Sequence, residues 1–337
     1  MKAVLLVGGE GTRLRPLTYT TPKALLPIGN VAFLERQLAW LASHGIEEVV
    51  LSMGYLPEPF RAHFKDDRFD NVKLRYAVEE SPLGTAGGIR FAAAGIKERF
   101  VVCNGDVLTT LDLSAMIKFH DARKAKASIY LCEVDDPSAF GVVPTREDGE
   151  VVGFIEKPPR EQAPTNWINA GVYVLEPSVL EGIPDRVNVS IERETFPKMV
   201  ESRKALYGFH WPGYWLDIGS PEKYLQANLD VLNGLLPRES TAIDPTAQLL
   251  GEVVDSVVGP DVIVAEGAVV ERSVLQAGSR VGAGARVVDS VLGVGAKAHE
   301  GAVVVDVSLV GDGVELPRDS RVVGGRIAPA GYETQAQ

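Results

Sequence analysis

The chain has 337 residues, room for more than one domain, and 45% of them are apolar, so a sizeable core can be buried. Lys and Arg number 34 against 45 Asp and Glu, a net charge of −11. This excludes a general polyanion binder such as a nucleic-acid protein, and any bound phosphate must meet a local basic site.

The chain opens with an apolar run that ends at Gly8, too short for a signal peptide or a membrane span, so the expected location is cytoplasmic with no membrane partner. Strand-like runs follow at 2–7, 47–53, 73–78, 99–104 and 128–134. Between them, 31–43 carries Leu34, Leu38 and Leu41 at helical spacing with Gly45 just past its end; 112–126 and 221–233 read the same way. Ser220 is the expected cap of the last helix and Pro221 its first residue. Cys103 and Cys132 lie in apolar runs and read as small buried hydrophobes in a reducing compartment. Strands alternating with helices predict an α/β domain over 1–236, a Rossmann-like, mostly parallel mixed sheet flanked by helices.

After 241 the helix formers give way to Val, Gly, Ala and Asp. Apolar residues recur every six positions, with occasional steps of five: Val258, Val264, Val270, Leu275, Val281, Val287, Leu292, Ala298, Val304, Val310, Leu316, Val322. One inward apolar residue per hexad, with small residues nearby, describes a triangular coil of three hexads per turn. The segment 241–326 resembles the left-handed parallel β-helix of hexapeptide-repeat proteins. Such a coil has open ends and flat faces that need cover, so the chain is expected to form a homo-oligomer through it.

The chemistry is concentrated in "VGGEGTRLRPLTYTTPK", residues 7–23. Glycines at the carboxyl end of a buried strand let backbone N–H groups approach an anion. Arg13, Arg15 and Lys23 add fixed positive charge, and prolines stiffen the segment. The ligand class is phosphate. Neither the Walker pattern nor the full dinucleotide G-x-G-x-x-G occurs, since position 14 is Leu.

The longer string resembles G-G-x-G-T-R-L-x-P-L-T-x-x-x-P-K, the signature of the sugar-1-phosphate nucleotidyltransferases, also called nucleoside-diphosphate-sugar pyrophosphorylases. "SPLGTAGGI" (81–89), "NGDV" (104–107), "FGVV" (140–143), "FIEKP" (154–158), "NAGVYVL" (169–175) and "YWLDIG" (214–219) fall in the family's order. The resemblance covers the first 233 residues, and a hexad domain is a common C-terminal partner there.

It implies that a sugar 1-phosphate attacks the α-phosphorus of a nucleoside triphosphate and releases pyrophosphate, both substrates being small molecules. Arg13 and Lys23 would meet the triphosphate, with Val7, Gly8, Gly9, Gly11 and Thr12 around it. Glu79, Pro82, Gly84 and Thr85 would wrap the base, and Asn104 would complete the nucleotide site. Asp106 and Asp217 would ligate Mg²⁺, and with Arg13 and Lys23 they form the catalytic set. Lys157 would hold the sugar's phosphate, and Glu156 would accept from sugar hydroxyls beside Asn169 and Gly141.

Glu79 bears on the base. A carboxylate only accepts, and guanine offers two adjacent donors where uracil and thymine offer carbonyls. "SIERETFP" (190–197) and the details above resemble the mannose-1-phosphate guanylyltransferase branch, implying GTP and mannose 1-phosphate as substrates and GDP-mannose as product. The alternatives are a glucose-1-phosphate thymidylyl- or uridylyltransferase and a non-catalytic regulatory paralogue, the last opposed by an intact Arg13, Lys23, Asp106, Lys157 and Asp217. An acyltransferase coil would need a histidine base, and the coil's one histidine, His299, reads as a solvent-facing turn residue.

Overall fold

A computed structural model describes residues 1–54, 57–203, 205–236 and 242–332. It divides into two compact units, one of Met1–Gly9 with Gln37–Trp215, the other of Glu10–Arg36 with the chain from Leu216 onward. Residue 241, the expected start of the coil domain, lies outside the described residues. Among the described residues no helix is long and apolar enough to cross a membrane.

The first unit is built on one mixed sheet. Its strands are β1 (Lys2–Leu6), β2 (Glu48–Met53), β3 (Val72–Val78), β4 (Phe100–Asn104), β5 (Ala127–Glu133), β6 (Gly141–Val142), β7 (Ile155–Glu156), β8 (Trp167–Leu175) and β9 (Leu206–His210). The order β7-β6-β8-β4-β1-β2-β3 ends on a two-residue edge strand, Arg68–Phe69, and β5 pairs with β8 and β9. The central strands β4, β1, β2 and β3 are parallel, whereas β8 runs antiparallel to β4, β5 and β6. Ala3, Val4, Leu5, Phe100, Val101 and Val102 are fully buried, as continuous apolar strands covered on both faces must be. Cys103 and Cys132 are buried, and neither is in a disulfide among the described residues.

The helices match the sequence with instructive shifts. Helix α1 is Phe33–Ser43, because residues 31 and 32 instead pair with 27 and 28 across Gly29 and Asn30, both at positive φ (57° and 65°), a two-residue hairpin turn. Helix α2 (Gly84–Ala92) arises inside the glycine-rich stretch that propensity assigns to a loop; it packs over β2 and β1. Helix α3 (Leu113–Arg123) starts after Asp112, whose side chain accepts from the Ala115 N–H at 2.9 Å, and stops at a left-handed Lys124.

In the second unit, helix α4 (Pro221–Leu232) is capped by Ser220 as expected. The C-terminal part is a left-handed parallel β-helix of three five-stranded parallel sheets. Every inward hexad position named above is at most 8% exposed. Paired residues stand 15 apart at the first rung (Gln248 and Ile263) and 17 apart thereafter, except for 18 in the one turn where Val307 is inserted at a corner.

One corner carries a ladder of buried serines. Ser273 N–H donates to Ser256 Oγ (3.0 Å), Ser290 to Ser273 (3.1 Å), Ser308 to Ser290 (3.2 Å), and Gly325 to Ser308 (3.1 Å). The corner needs positive φ at Arg272, Asp289, Val307 and Gly324, which takes the next N–H out of the sheet ladder, and the hydroxyl below accepts it. Ser290→Ala should therefore cost about 1–3 kcal/mol by orphaning the Ser308 N–H, and Leu292→Ala about 2–5 kcal/mol by leaving a cavity. Val294→Ala, at a half-exposed position, should cost under about 0.5 kcal/mol. Denaturant melts of the three variants read these differences directly.

Candidate active site

In the first unit, β1 delivers Val7 and the two glycines. Val7 N–H donates to Ser52 O (2.8 Å), and a Cβ on Gly8 would stand 2.9 Å from the Gly54 backbone nitrogen, so only glycine lets these chain segments approach. Gly9 has open space around it. Beyond β4 the chain turns through Gly105 and Asp106. Gly105 N–H donates to Leu6 O (2.9 Å), and the buried Gln37 amide donates to Asn104 O (2.9 Å) and Val107 O (3.0 Å). Gln37 thus fixes the turn that carries Asp106, a part the sequence did not assign to it. Among the described residues the Asn104 side-chain oxygen, which is buried, has no hydrogen-bond partner.

Gly11, Thr12, Arg13 and Lys23 belong to the second unit. Gly11 sits at φ 63° and opens a short 3₁₀ turn, Thr12–Leu14; a second such turn, Lys23–Leu25, begins at Lys23. A Cβ at Gly11 would meet Thr18 Cγ2 at 3.0 Å and Lys23 Cβ at 3.1 Å, which ties the glycine turn to the lysine. A Cβ on Gly219 would meet Asp217 Oδ2 at 2.8 Å and the Arg13 guanidinium at 2.9 Å, so Asp217 and Arg13 share one corner of this unit. Lys223, one turn into α4, forms an ion pair with Asp217 Oδ1. The sequence reading passed over Lys223; its place in the first turn of a helix beginning four residues past Asp217 is the signal that could have found it.

Glu79 leads the stretch expected to wrap a base. Its Oε1 accepts from Ser52 Oγ (3.1 Å) and its Oε2 from the Leu83 N–H (3.0 Å). The carboxylate therefore braces its own loop, and each oxygen keeps a second lone pair. Pro82 O accepts from Asn188 (3.0 Å), and Gly84, at φ 67°, would place a Cβ 2.6 Å from Val189 O.

The sugar-side residues assemble on β6, β7 and β8. Gly141 stands opposite Glu156 in the β6–β7 hairpin. Glu156 Oε1 lies 3.9 Å from Lys157 Nζ and 3.8 Å from the Arg193 guanidinium. Lys157 adopts φ 49° and donates its N–H to Phe140 O at 3.0 Å. Asn169 lies at a register irregularity of β8; its oxygen accepts from Gly171 N–H (3.0 Å) and its amide donates to the Tyr173 hydroxyl (2.9 Å).

Glu192 joins the two sides of this unit, and sequence reasoning missed it. It lies in a π-helical turn, Ile191–Thr195, a form that recurs at functional sites. Thr85 Oγ1 donates to it at 2.7 Å, Ser190 Oγ at 2.8 Å and the Tyr173 hydroxyl at 3.4 Å. Burial, with the nearby Glu192 charge, holds the Tyr173 hydroxyl well above its ordinary pKa, so it stays a donor. Thr85, among the expected base contacts, is thus linked through Glu192 and Tyr173 to Asn169.

Residues 2–234 match the nucleotidyl transferase family, and residues 234–332 match the GMPPB C-terminal domain. The mannose-1-phosphate guanylyltransferase of Mycobacterium tuberculosis is 39% identical, over 83% of this chain and 81% of that protein. The mannose-1-phosphate guanyltransferase of Candida albicans is 37% identical, over 98% of this chain and 96% of that one. The crystal structure of HddC from Yersinia pseudotuberculosis superposes with a TM-score of 0.59 at 31% identity, covering 67% of this chain and 97% of that one. HddC complexed with GMP-PN gives 0.58 at 30%, with the same shares covered. The chain belongs to the nucleotidyl transferase family and groups there with the mannose-1-phosphate guanylyltransferases.

Proposed function

We propose that the protein transfers the guanylyl group of GTP to mannose 1-phosphate, giving GDP-mannose and pyrophosphate. The observation that carries this is the match to mannose-1-phosphate guanylyltransferases across both parts of the chain, coil included. Residues 1–236 carry the chemistry, and 241–326 form the coil through which copies of the chain associate. The setting we propose is cytoplasmic.

The nucleophile is a phosphate oxygen of mannose 1-phosphate, already ionised near pH 7 because its second pKa is about 6. No general base and no covalent intermediate is required, so catalysis consists of positioning and charge neutralisation. Arg13 and Lys23 neutralise the triphosphate and its departing pyrophosphate, while Gly8, Gly9 and Gly11 give close backbone approach. Lys157 holds the phosphate of the sugar. Glu156 and Asn169 accept from and donate to its hydroxyls. Glu79 turns its remaining lone pairs to guanine N1–H and N2–H₂.

Asp106 and Asp217 offer the hard oxygen donors that Mg²⁺ takes, and Asp217 already draws a cation, the Lys223 ammonium. Mg²⁺ held there would add positive charge against the phosphates.

Purified protein supplied with Mg²⁺, each common nucleoside triphosphate and either mannose 1-phosphate or glucose 1-phosphate should release pyrophosphate fastest with GTP and mannose 1-phosphate. A preference for dTTP or UTP would overturn the guanine assignment of Glu79, and silence with every pair would favour a regulatory paralogue. Glu79→Gln should lower kcat/KM for GTP by about tenfold and narrow its lead over UTP, since one acceptor becomes a donor. Glu192→Ala leaves the Thr85, Ser190 and Tyr173 hydroxyls without their acceptor. A loss of about 1–3 kcal/mol in transition-state stabilisation is expected, read as kcat/KM.

A further inference from the structure

The loop between Arg13 and Lys23 has little regular structure of its own. Within residues 12–25 it forms only three 3₁₀ turns, Thr12–Leu14, Leu17–Tyr19 and Lys23–Leu25, each of three residues. Such a segment is not self-supporting, and ordering it only when a ligand arrives would cost about 1–2 kcal/mol for each residue fixed.

The coil meets this loop in the second unit. Thr20 Oγ1 donates to Asp312 Oδ2. The other oxygen, Asp312 Oδ1, accepts from the Val294 N–H at 2.9 Å, one coil turn away. Asp312 therefore stands on two coil turns at once, and its carboxylate is aimed by the coil rather than by the loop. Beside it, a Cβ on Gly311 would fall 3.0 Å from Pro16 Cβ and 2.8 Å from Pro329 Cδ, so bare backbone is what lets Pro16 seat. The Tyr19 ring stacks on Tyr332 with centroids 4.4 Å apart and planes 24° from parallel, and the Arg15 guanidinium lies 5.1 Å from the Tyr19 centroid. The grip reaches the charged residues through the loop itself. Thr18 Oγ1 donates to Gly11 O at 2.8 Å, and the Gly11 turn abuts Lys23.

We propose that Asp312, together with Tyr332, is a positioning residue for nucleotide transfer: the coil holds residues 15–20 so that Arg13 and Lys23 stand ready before the triphosphate arrives. This rests on the reading of Arg13 and Lys23 as the triphosphate-binding pair. A preorganised loop lowers the ordering cost of binding, so its loss falls on the nucleotide and not on the sugar phosphate.

Thr20→Val is the cleanest variant, because Thr20 is an exposed residue of the loop and its replacement leaves the Asp312–Val294 bond intact. It should raise the KM for GTP about tenfold, the scale of one hydrogen bond to a charged group, with the KM for mannose 1-phosphate and the thermal midpoint unchanged. Asp312→Ala should raise the KM for GTP by the same factor, and the double variant should be no worse than either single one. Tyr332→Ala should shift the same constant in the same direction. An unchanged KM for GTP in Thr20→Val overturns the proposal, and so do additive effects in the double variant. A fall in thermal midpoint with unaltered kinetics makes Asp312 merely structural. Lys23→Ala separates the two layers: if it leaves GTP binding intact, the underlying reading fails; if it impairs binding while Thr20→Val does not, only the clamp fails.

Discussion

The second unit depends on a set of buried polar bonds around α4. Asn228 is fully buried; its side-chain oxygen accepts from Gly29 N–H at 2.8 Å and its amide donates to Tyr224 O at 2.9 Å. The Tyr224 hydroxyl donates to Pro27 O at 2.7 Å and accepts from Gln276 of the coil at 3.1 Å. Apart from the short hairpin of 27–28 with 31–32, the segment 10–36 has no sheet to satisfy its backbone, so these side chains supply partners. Each bond is modest by itself, but leaving any of these groups unpaired inside the unit would cost more than the bond contributes. The helix thereby sets where the loop with Arg13 and Lys23 can run, and Asn30, bonded to Val258 O at 2.9 Å, extends the same tie to the coil.

The acid-rich composition becomes intelligible at this level. Several carboxylates are not solvated surface charge. Glu79 and Glu192 accept from hydroxyls or backbone amides and so fix loops, Asp312 bridges coil turns, and Asp217 is matched by Lys223. A carboxylate suits this work because it has several acceptor sites and no donor to leave unmatched. A net charge of −11 disfavours general attraction to nucleic acid, so any anion this chain binds must meet a local group of cations.

Much of this was legible in the residues. The period of six named the coil and its inward side chains correctly, because a repeating steric environment selects the same residue type at every turn. The long apolar strands and the Ser220–Pro221 helix start were equally plain. Helix α2 was hidden because its glycines oppose helix propensity: at Gly87 a Cβ would fall 2.5 Å from Val187 O, so close packing overrides local preference. The π-helical turn at Glu192 and the brace at Gln37 were hidden for another reason. Their partners, Thr85 and Asn104, lie far away in sequence, and one-dimensional spacing carries no signal for a bond of that kind. The serine ladder could have been read, since Ser256, Ser273, Ser290 and Ser308 recur with the period of the coil.

The extra residue at Val307 bears on how such a coil can change length. It enters at a corner, between the three-residue strand Val303–Val305 and the next, and every pairing on either side keeps its register. An insertion within a strand would instead flip alternate side chains, turning valines outward and charges inward. Corners are thus the sites where this architecture can absorb single-residue indels, while growth along the axis proceeds by whole turns. Because Asp312 and Tyr332 lie on the C-terminal side of that insertion, a lineage could add or delete a turn there only by finding a new seat for the loop that carries Thr20, so the number of turns is held by that loop as much as by the coil.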